Sequence, residues 1–246
     1  MAGSESAGTP LWDDVQRVVL EAGWVQEAGK RSTYAHRRGL DLNNDSRIVP
    51  DVTFLHPVTL SDDVVTLEPL SHEHLEGLCD AARDGDLWNL WYTAVPRPEE
   101  MAAEIDRRLG LLEAQSMLPF TLRRNDTGQI IGMTTFMNAD AANRRVEIGS
   151  TWNAASAHRS GTNTASKLLL LGYAFEELNC IAVEFRTHWM NMQSRTAIAN
   201  LGAKQDGVLR NHQRMPDGSL RDTVVYSIVN SEWPAVRNEL RRRLAR

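Results

Sequence analysis

A run of small and polar residues at 158–163, His-Arg-Ser-Gly-Thr-Asn, follows a strand-like stretch at 145–152 and opens onto an apolar helical stretch at 164–178. Small side chains at Ser160, Gly161 and Thr162 let the backbone come close to a ligand, and the first N–H groups of a helix have no intrahelical partner. Backbone donors gathered at the positive end of a helix suit a phosphate or pyrophosphate. The nucleotide signatures GxGxxG and GxxxxGK[ST] are both absent, so nicotinamide and nucleoside triphosphate readings lose their main support. No GxSxG elbow presents a serine nucleophile. The 7 histidines are dispersed. His72 and His74 are close but have the wrong helical spacing to ligate jointly, and no Cys/His cluster has zinc spacing, so no metal is expected. A phosphate-holding loop without triphosphate hardware remains.

Such a loop needs a frame. Val146, Ile148 and Ser150 alternate against Arg145, Glu147 and Gly149, the period of a strand. The helix after the loop is apolar almost all round, with Leu168, Leu169, Leu170, Leu171, Ala174, Phe175 and Leu178, which predicts burial against a sheet. Residues 181–187 form the next strand, with Ile181, Val183 and Phe185 on one face and Ala182, Glu184 and Arg186 on the other. A helix carrying Asn191 and Ser194 follows and stops at Gly202.

Upstream, 64–67 reads as a strand closed by Pro69. Ser71 offers an N-cap for a helix bearing Leu75, Leu78, Cys79 and Ala82. The aromatic segment 87–95, with Trp88, Trp91 and Tyr92, reads either as core packing or as the wall of an acceptor pocket. Pro98 starts a helix with Met101, Ile105, Leu109 and Leu112 inward, ending before Pro119. Strands at 120–124 and 129–136 flank a hairpin turn, and with 145–152 they make an antiparallel meander. Strands at 208–215 and 220–228 flank a second turn, and Ser231 caps a closing helix with Pro234 in its first turn. The succession predicts an α+β class, a mixed α/β sheet that is mostly antiparallel and twisted, with flanking helices.

At 246 residues the chain suits one domain with an appendage. Residues 51–246 read as the domain. Residues 1–50 read as an N-terminal extension, irregular apart from a helix near 11–22 and disordered at its first ten positions. With 27 Lys+Arg against 32 Asp+Glu, the net charge of −5 lacks the basic footprint of a nucleic-acid binder. No stretch reaches the roughly 18 apolar residues of a membrane span, and no signal-peptide pattern opens the chain. Cys79 and Cys180 lie far apart among apolar neighbours, as buried thiols in a reducing compartment do. These features together predict a cytoplasmic protein.

Residues 145–202 carry a resemblance. VEIGSTW, SAHRSGTNTASKLLLLGYAFEEL, IAVEFRT and NMQSRTAIANLGA, in that order, resemble the acetyl-CoA core of the GNAT N-acetyltransferases. The continuation GVLRNHQRMPDGSLRDTVVYSI is similar to the RimJ/RimL-like branch, the ribosomal-protein alanine N-acetyltransferases. The resemblance implies a GNAT fold with two splayed strands, 145–152 and 181–187. It implies acetyl-CoA as co-substrate, no metal, and direct transfer in a ternary complex to an amine acceptor, either a protein N-terminus or a small molecule. A homodimer is one option for the assembly.

By the same resemblance, backbone N–H groups of Arg159, Ser160, Gly161, Thr162, Asn163 and Thr164 hold the pyrophosphate. Ser150, Thr151 and Trp152 line the pantetheine and supply an oxyanion donor, and Asn191 contacts the pantetheine from the other strand. Ser194 is the candidate acid, with a helix N-cap as its other reading. Glu147 and Glu184 compete as base, each otherwise a sheet-face charge paired with arginine. Asp222 is a candidate for binding the acceptor amine, or else part of a hairpin ion pair. Arg159 stands where these proteins usually have Gly, and Ala165 where they commonly have Glu. Both departures favour an alternative, a catalytically degraded acyl-CoA-binding sensor or interaction module.

Overall fold

A computed structural model describes residues 54–89, 91–93 and 95–245, all belonging to one compact unit, Pro50–Arg246. The expected extension at 1–50 and its helix near 11–22 lie outside the described residues. Eight strands form one sheet: β1 (Leu60–Ser61), β2 (Val65–Pro69), β3 (Met117–Arg124), β4 (Ile130–Asp140), β5 (Arg145–Asn153), β6 (Ala182–His188), β7 (Lys204–Arg214) and β8 (Leu220–Val229). Their order is β1-β2-β3-β4-β5-β6-β8-β7, and every adjacent pair is antiparallel except β5–β6. The expected α+β class with a mostly antiparallel sheet is what the chain adopts.

Among the described residues five α-helices flank the sheet: α1 (Leu75–Arg83), α2 (Met101–Glu113), α3 (Thr162–Gly172), α4 (Met192–Asn200) and α5 (Trp233–Leu244). Leu170 and Leu171 of α3, Ile198 of α4 and Leu240 of α5 join Val146, Ile148, Val183, Phe185, Tyr226 and Ile228 in one core on the first face. On the second face, Leu78 of α1 with Met101 and Ile105 of α2 packs on Ile130, Met133 and Trp152. The crossover between the parallel strands β5 and β6 is occupied by α3, which is why that helix is the most apolar of the five.

Several boundaries differ from the sequence expectation for local reasons. Helix α2 ends at Glu113 and β3 already begins at Met117, so Pro119 lies inside a strand. The Pro119 carbonyl accepts the Leu70 N–H at the point where β2 runs out, so the missing proline donor costs no ladder bond. Helix α3 starts at Thr162, two residues early, because Gly161 takes φ +87° as its N-cap, and it continues as a π-turn over Tyr173–Glu177. Ile181 precedes β6 and is 50% exposed, so it is not part of the inward face. The cap of α4 is Asn191, whose side-chain oxygen accepts the Ser194 N–H at 2.9 Å, so Ser194 is not the N-cap. Glu232 takes the cap position of α5 in place of Ser231 and also accepts the Val229 N–H.

Candidate functional site

The parallel register of β5 and β6 runs Arg145–Ala182, Val146–Val183 and Glu147–Glu184, and then stops. Beyond it β5 stays with β4 as far as Asn153, and β6 stays with β8 as far as His188. Two strands held by different neighbours must diverge, so a V-shaped cleft opens just past the two carboxylates. A bulge marks the β5 side: the β4 register shifts between Met133 and Thr135, and Ser150 takes φ +46°. A bulge leaves one residue unpaired and turns its peptide out of the ladder.

The loop that follows leads into α3. Arg159 has φ +60° and Gly161 +87°, and the first intrahelical bond is Ala165 N–H to the Gly161 carbonyl at 2.9 Å. The N–H groups of Thr162, Asn163 and Thr164 therefore precede the helical ladder, and no side chain caps them. Ser160 Oγ donates to the Ala157 carbonyl at 2.6 Å, which fixes the turn. Arg159 occupies a left-handed conformation of the kind glycine adopts freely, which explains the family's preference there; its side chain is exposed. Ala165 is fully buried in the first-face core.

The two carboxylates sit side by side on the second face but differ in environment. Glu147 is 6% exposed, accepts Asn138 Nδ2 at 2.8 Å and lies 3.4 Å from Arg186 Nε. Burial pushes its carboxyl above the usual range, and the Asn138 bond and Arg186 offset this only in part. Gly149 leaves room for it, since a Cβ there would come within 3.1 Å of Glu147 Oε1. Burial also pushes Glu184 upward, but Arg145 at 2.5 Å and Arg186 at 3.0 Å outweigh it and hold the group below the ordinary value. Glu184 thus fits its sheet-face ion-pair reading, whereas burial keeps Glu147 above the ordinary carboxylate value despite Arg186.

Asn191 and the half-buried Ser194 lie in the turn that leaves the free end of β6. His188, the last residue of β6, is 4% exposed. Its Nδ1 accepts the Met190 N–H at 3.0 Å, which assigns the proton of the neutral ring to Nε2, and Nε2 is buried without a partner. Burial, then Arg221, lowers its pKa against the opposing pull of Asp222. The Trp91 ring meets His188 edge-on at 5.1 Å and is itself 54% exposed, while Leu87 is buried with the second-face core. The segment thus gives Leu87 to the core, while Trp91 stands exposed against the end of β6. Asp222 accepts the Asn211 N–H at 2.8 Å and pairs with Arg210 at 2.6 Å, so it is engaged within the β7–β8 hairpin.

Three residues at the cleft escaped the sequence reading. Arg108 falls in register with Met101, Ile105 and Leu112 on the buried face of α2, and Lys167 is the one charged residue among the apolar positions of α3. A charge on an apolar stripe was the available signal for both. His188 carried none, because its significance depends on where β5 leaves β6. A depression of about 470 Å³ lined by Val95, Pro96, Glu100, Glu104, Arg107, Arg108 and Ser150 opens beside the bulge on the second face. Among the described residues no group of His, Cys, Asp and Glu has metal-site geometry, and no helix is long and apolar enough to cross a membrane. Cys79 and Cys180 are both free; Cys180 is buried and Cys79 only partly so.

Comparison with known proteins agrees with this geometry. The acetyltransferase (GNAT) domain family matches residues 65–204. YdaF of Bacillus subtilis (strain 168), named as a ribosomal N-acetyltransferase, is 34% identical over 106 residues, a match covering 43% of this chain and 57% of YdaF. This chain thus spans little more than half the length of that relative, whose name accords with the RimJ/RimL-like resemblance. A crystal structure from T. thermophilus described as an acetyltransferase is 31% identical with TM-score 0.67, covering 77% of this chain and 98% of that one. A GCN5-related N-acetyltransferase from Brucella melitensis is 26% identical with TM-score 0.70, covering 76% and 85%. The chain belongs to the GNAT acetyltransferase family, whose members take their acetyl group from acetyl-CoA.

Proposed function

We propose that this chain transfers the acetyl group of acetyl-CoA to a primary amine directly, with donor and acceptor bound together. One observation carries the reading: β5–β6 pairing ends at Glu147 and Glu184, beside a bulge and an uncapped helix start. The residues present fit the donor. The N–H groups of Arg159, Gly161, Thr162, Asn163 and Thr164 are assigned to the pyrophosphate, whereas the Ser160 N–H, expected to join them, already donates to the Ala157 carbonyl at 3.4 Å. Ser150, Thr151 and Trp152 are assigned to the pantetheine along the free edge of β5, with Asn191 on the opposite side. The exposed Arg159 side chain and the core-packed Ala165 leave the N–H groups at the start of α3 uncapped, so neither departure from the family pattern closes the donor loop.

An ammonium cannot attack a thioester, so the acceptor must lose a proton first. Glu147 takes it, directly or through water, because burial raises its pKa above the ordinary carboxylate value and so makes it the more basic of the two carboxylates. The freed lone pair forms the C–N bond, a backbone N–H of the bulge steadies the oxyanion, the C–S pair leaves on sulfur, and the nitrogen's second proton departs to solvent, which makes up the proton handed to sulfur. Ser194 is the candidate for delivering the proton that sulfur takes up. We assign a protein α-amine as acceptor, in the cytoplasm. YdaF is named for a ribosomal role, which favours a protein amine over a small one.

Calorimetric titration with acetyl-CoA, followed by thiol release over a panel of N-terminal peptides and small amines, tests the proposal. Binding with acceptor-stimulated release is expected, strongest for peptides. Tight binding with no stimulated release by any amine would point to the sensor instead.

A further inference from the structure

The bulge of β5 is gripped from both faces of the sheet by buried cationic side chains. Thr134 and Thr135 are consecutive on β4, so their side chains project to opposite faces, and both are fully buried. On the second face Arg108 of α2, 2% exposed, donates to Thr135 Oγ1 at 2.8 Å. The same guanidinium approaches the Ser150 carbonyl at 3.4 and 3.5 Å and is held by Glu104 at 2.6 Å. On the first face Lys167 of α3, 5% exposed, donates to Thr134 Oγ1 at 3.2 Å and Thr151 Oγ1 at 3.1 Å. The hydroxyls of Thr134 and Thr151 are themselves 2.7 Å apart.

Two adjacent residues of the bulge, Ser150 and Thr151, are therefore tied to two adjacent residues of β4 by one cation from each side. Burying a guanidinium and an ammonium is expensive, and apolar side chains of similar volume would pack there at less cost. What the cations provide is direction. In a trans peptide the carbonyl of one residue and the N–H of the next point oppositely. With the Ser150 carbonyl turned toward Arg108, the Thr151 N–H is aimed away from α2. Lys167 then prevents Thr151 from rotating back, by holding its hydroxyl against Thr134.

We propose that Arg108 and Lys167 are positioning residues, a two-sided clamp that fixes the Ser150–Thr151 peptide so that its N–H meets the carbonyl oxygen of the donor thioester. The inference rests on the acetyl-CoA reading above and adds to it the residues that set the oxyanion donor. A preorganised donor lowers the barrier because no reorganisation is needed as charge develops.

The test compares the full chain with Arg108→Met, Arg108→Lys, Lys167→Met and Thr135→Val, measuring kcat, KM for acetyl-CoA, CoA affinity by calorimetry, and melting temperature. Arg108→Met and Lys167→Met should each lower kcat by about 10- to 100-fold while CoA affinity changes by less than about threefold, since the lost interaction acts mainly in the transition state. Arg108→Lys should recover part of the rate, because one donor can still reach the Ser150 carbonyl. A merely structural role would lower the melting temperature and leave kcat per folded molecule unchanged, and that result overturns the clamp. If Arg108→Met does not fold, Thr135→Val and Lys167→Met decide, and unchanged kcat in both overturns it equally. Failure of the wild-type chain to bind CoA would instead remove the donor reading, and the clamp with it.

Discussion

Glu147 and Glu184 occupy matched positions on neighbouring strands, yet their surroundings assign them different chemistry. Two guanidiniums face Glu184, whereas an amide and one more distant guanidinium face Glu147, which is also more deeply buried. Glu147→Gln should therefore lower kcat by about 10²-fold or more and abolish the acid limb of the kcat/KM profile. In the wild-type chain that limb should lie above the ordinary carboxylate range, because burial raises this group. Glu184→Gln should leave the limb in place; if it is the variant that erases the limb, the assignment is reversed. Lys167 gives a stability prediction. Burial lowers its pKa from 10.5 to about 7. Below pH 7 the side chain is charged both folded and unfolded, so the full cost of burying the ammonium is present. Between about pH 7 and 10.5 the unfolded chain binds more protons than the folded one, so stability climbs with pH across that window. Lys167→Met removes the cost, at roughly 1.4 kcal/mol per pKa unit. The variant should gain stability over wild type at about pH 6.5, with the gain shrinking toward about pH 10. Parallel denaturation profiles for the two proteins across this range would show that the buried ammonium carries no such cost.

At the scale of elements, the glycine N-cap of α3 decides whether the loop presents its N–H groups. Gly161 has φ +87° and its nearest neighbour to an added Cβ is Leu244 at 3.8 Å, so the obstacle to replacement is backbone conformation rather than space. Gly218 in the β7–β8 turn has φ +85° and also faces open space. Val at either position carries a similar strain of about 1–2 kcal/mol. Gly161→Val should weaken acetyl-CoA binding at least about tenfold, and Gly218→Val should leave it unchanged; equal affinities would exclude the loop from the site. The sequence made α3, its loop and both strands legible because period and small-residue chemistry agree there. It did not reveal that Pro119 lies within β3, since that depends on where β2 ends. Nor did it separate Glu147 from Glu184, because strand alternation alone gives both the same face. Of the arginine partners of Glu184, Arg186 lies two residues along the same strand, but Arg145 is brought beside it only by the parallel register. Arg108 and Lys167 were visible as misplaced charges, but their common target, the bulge, is a tertiary feature.

For the whole molecule, the division of labour between faces follows from which strands lend their edges. Helices α3, α4 and α5 contribute to the first-face core, and α1 and α2 to a second-face core that reaches Trp152 of β5 but takes in no residue of β6 or β8, so Glu147, Arg186 and His188 lie beyond its edge, beside Trp91. In the proposed direct transfer the acceptor approaches from that side and the donor lies along the free edge of β5. Every candidate residue, both hydrophobic cores and all eight strands fall within Pro50–Arg246, a compact unit with its own core. A fragment spanning residues 50–246 should then unfold in a single cooperative transition and bind acetyl-CoA within about threefold of the full chain. Its turnover of a short amine should likewise match. A tenfold or greater loss of donor affinity in a fragment that still melts cooperatively would mean that residues 1–49 contribute to the donor site. Unchanged donor affinity with lost turnover of peptides but not of small amines would assign those residues to acceptor recognition. The two outcomes are separable because calorimetry reads donor affinity and thiol release reads acceptor choice.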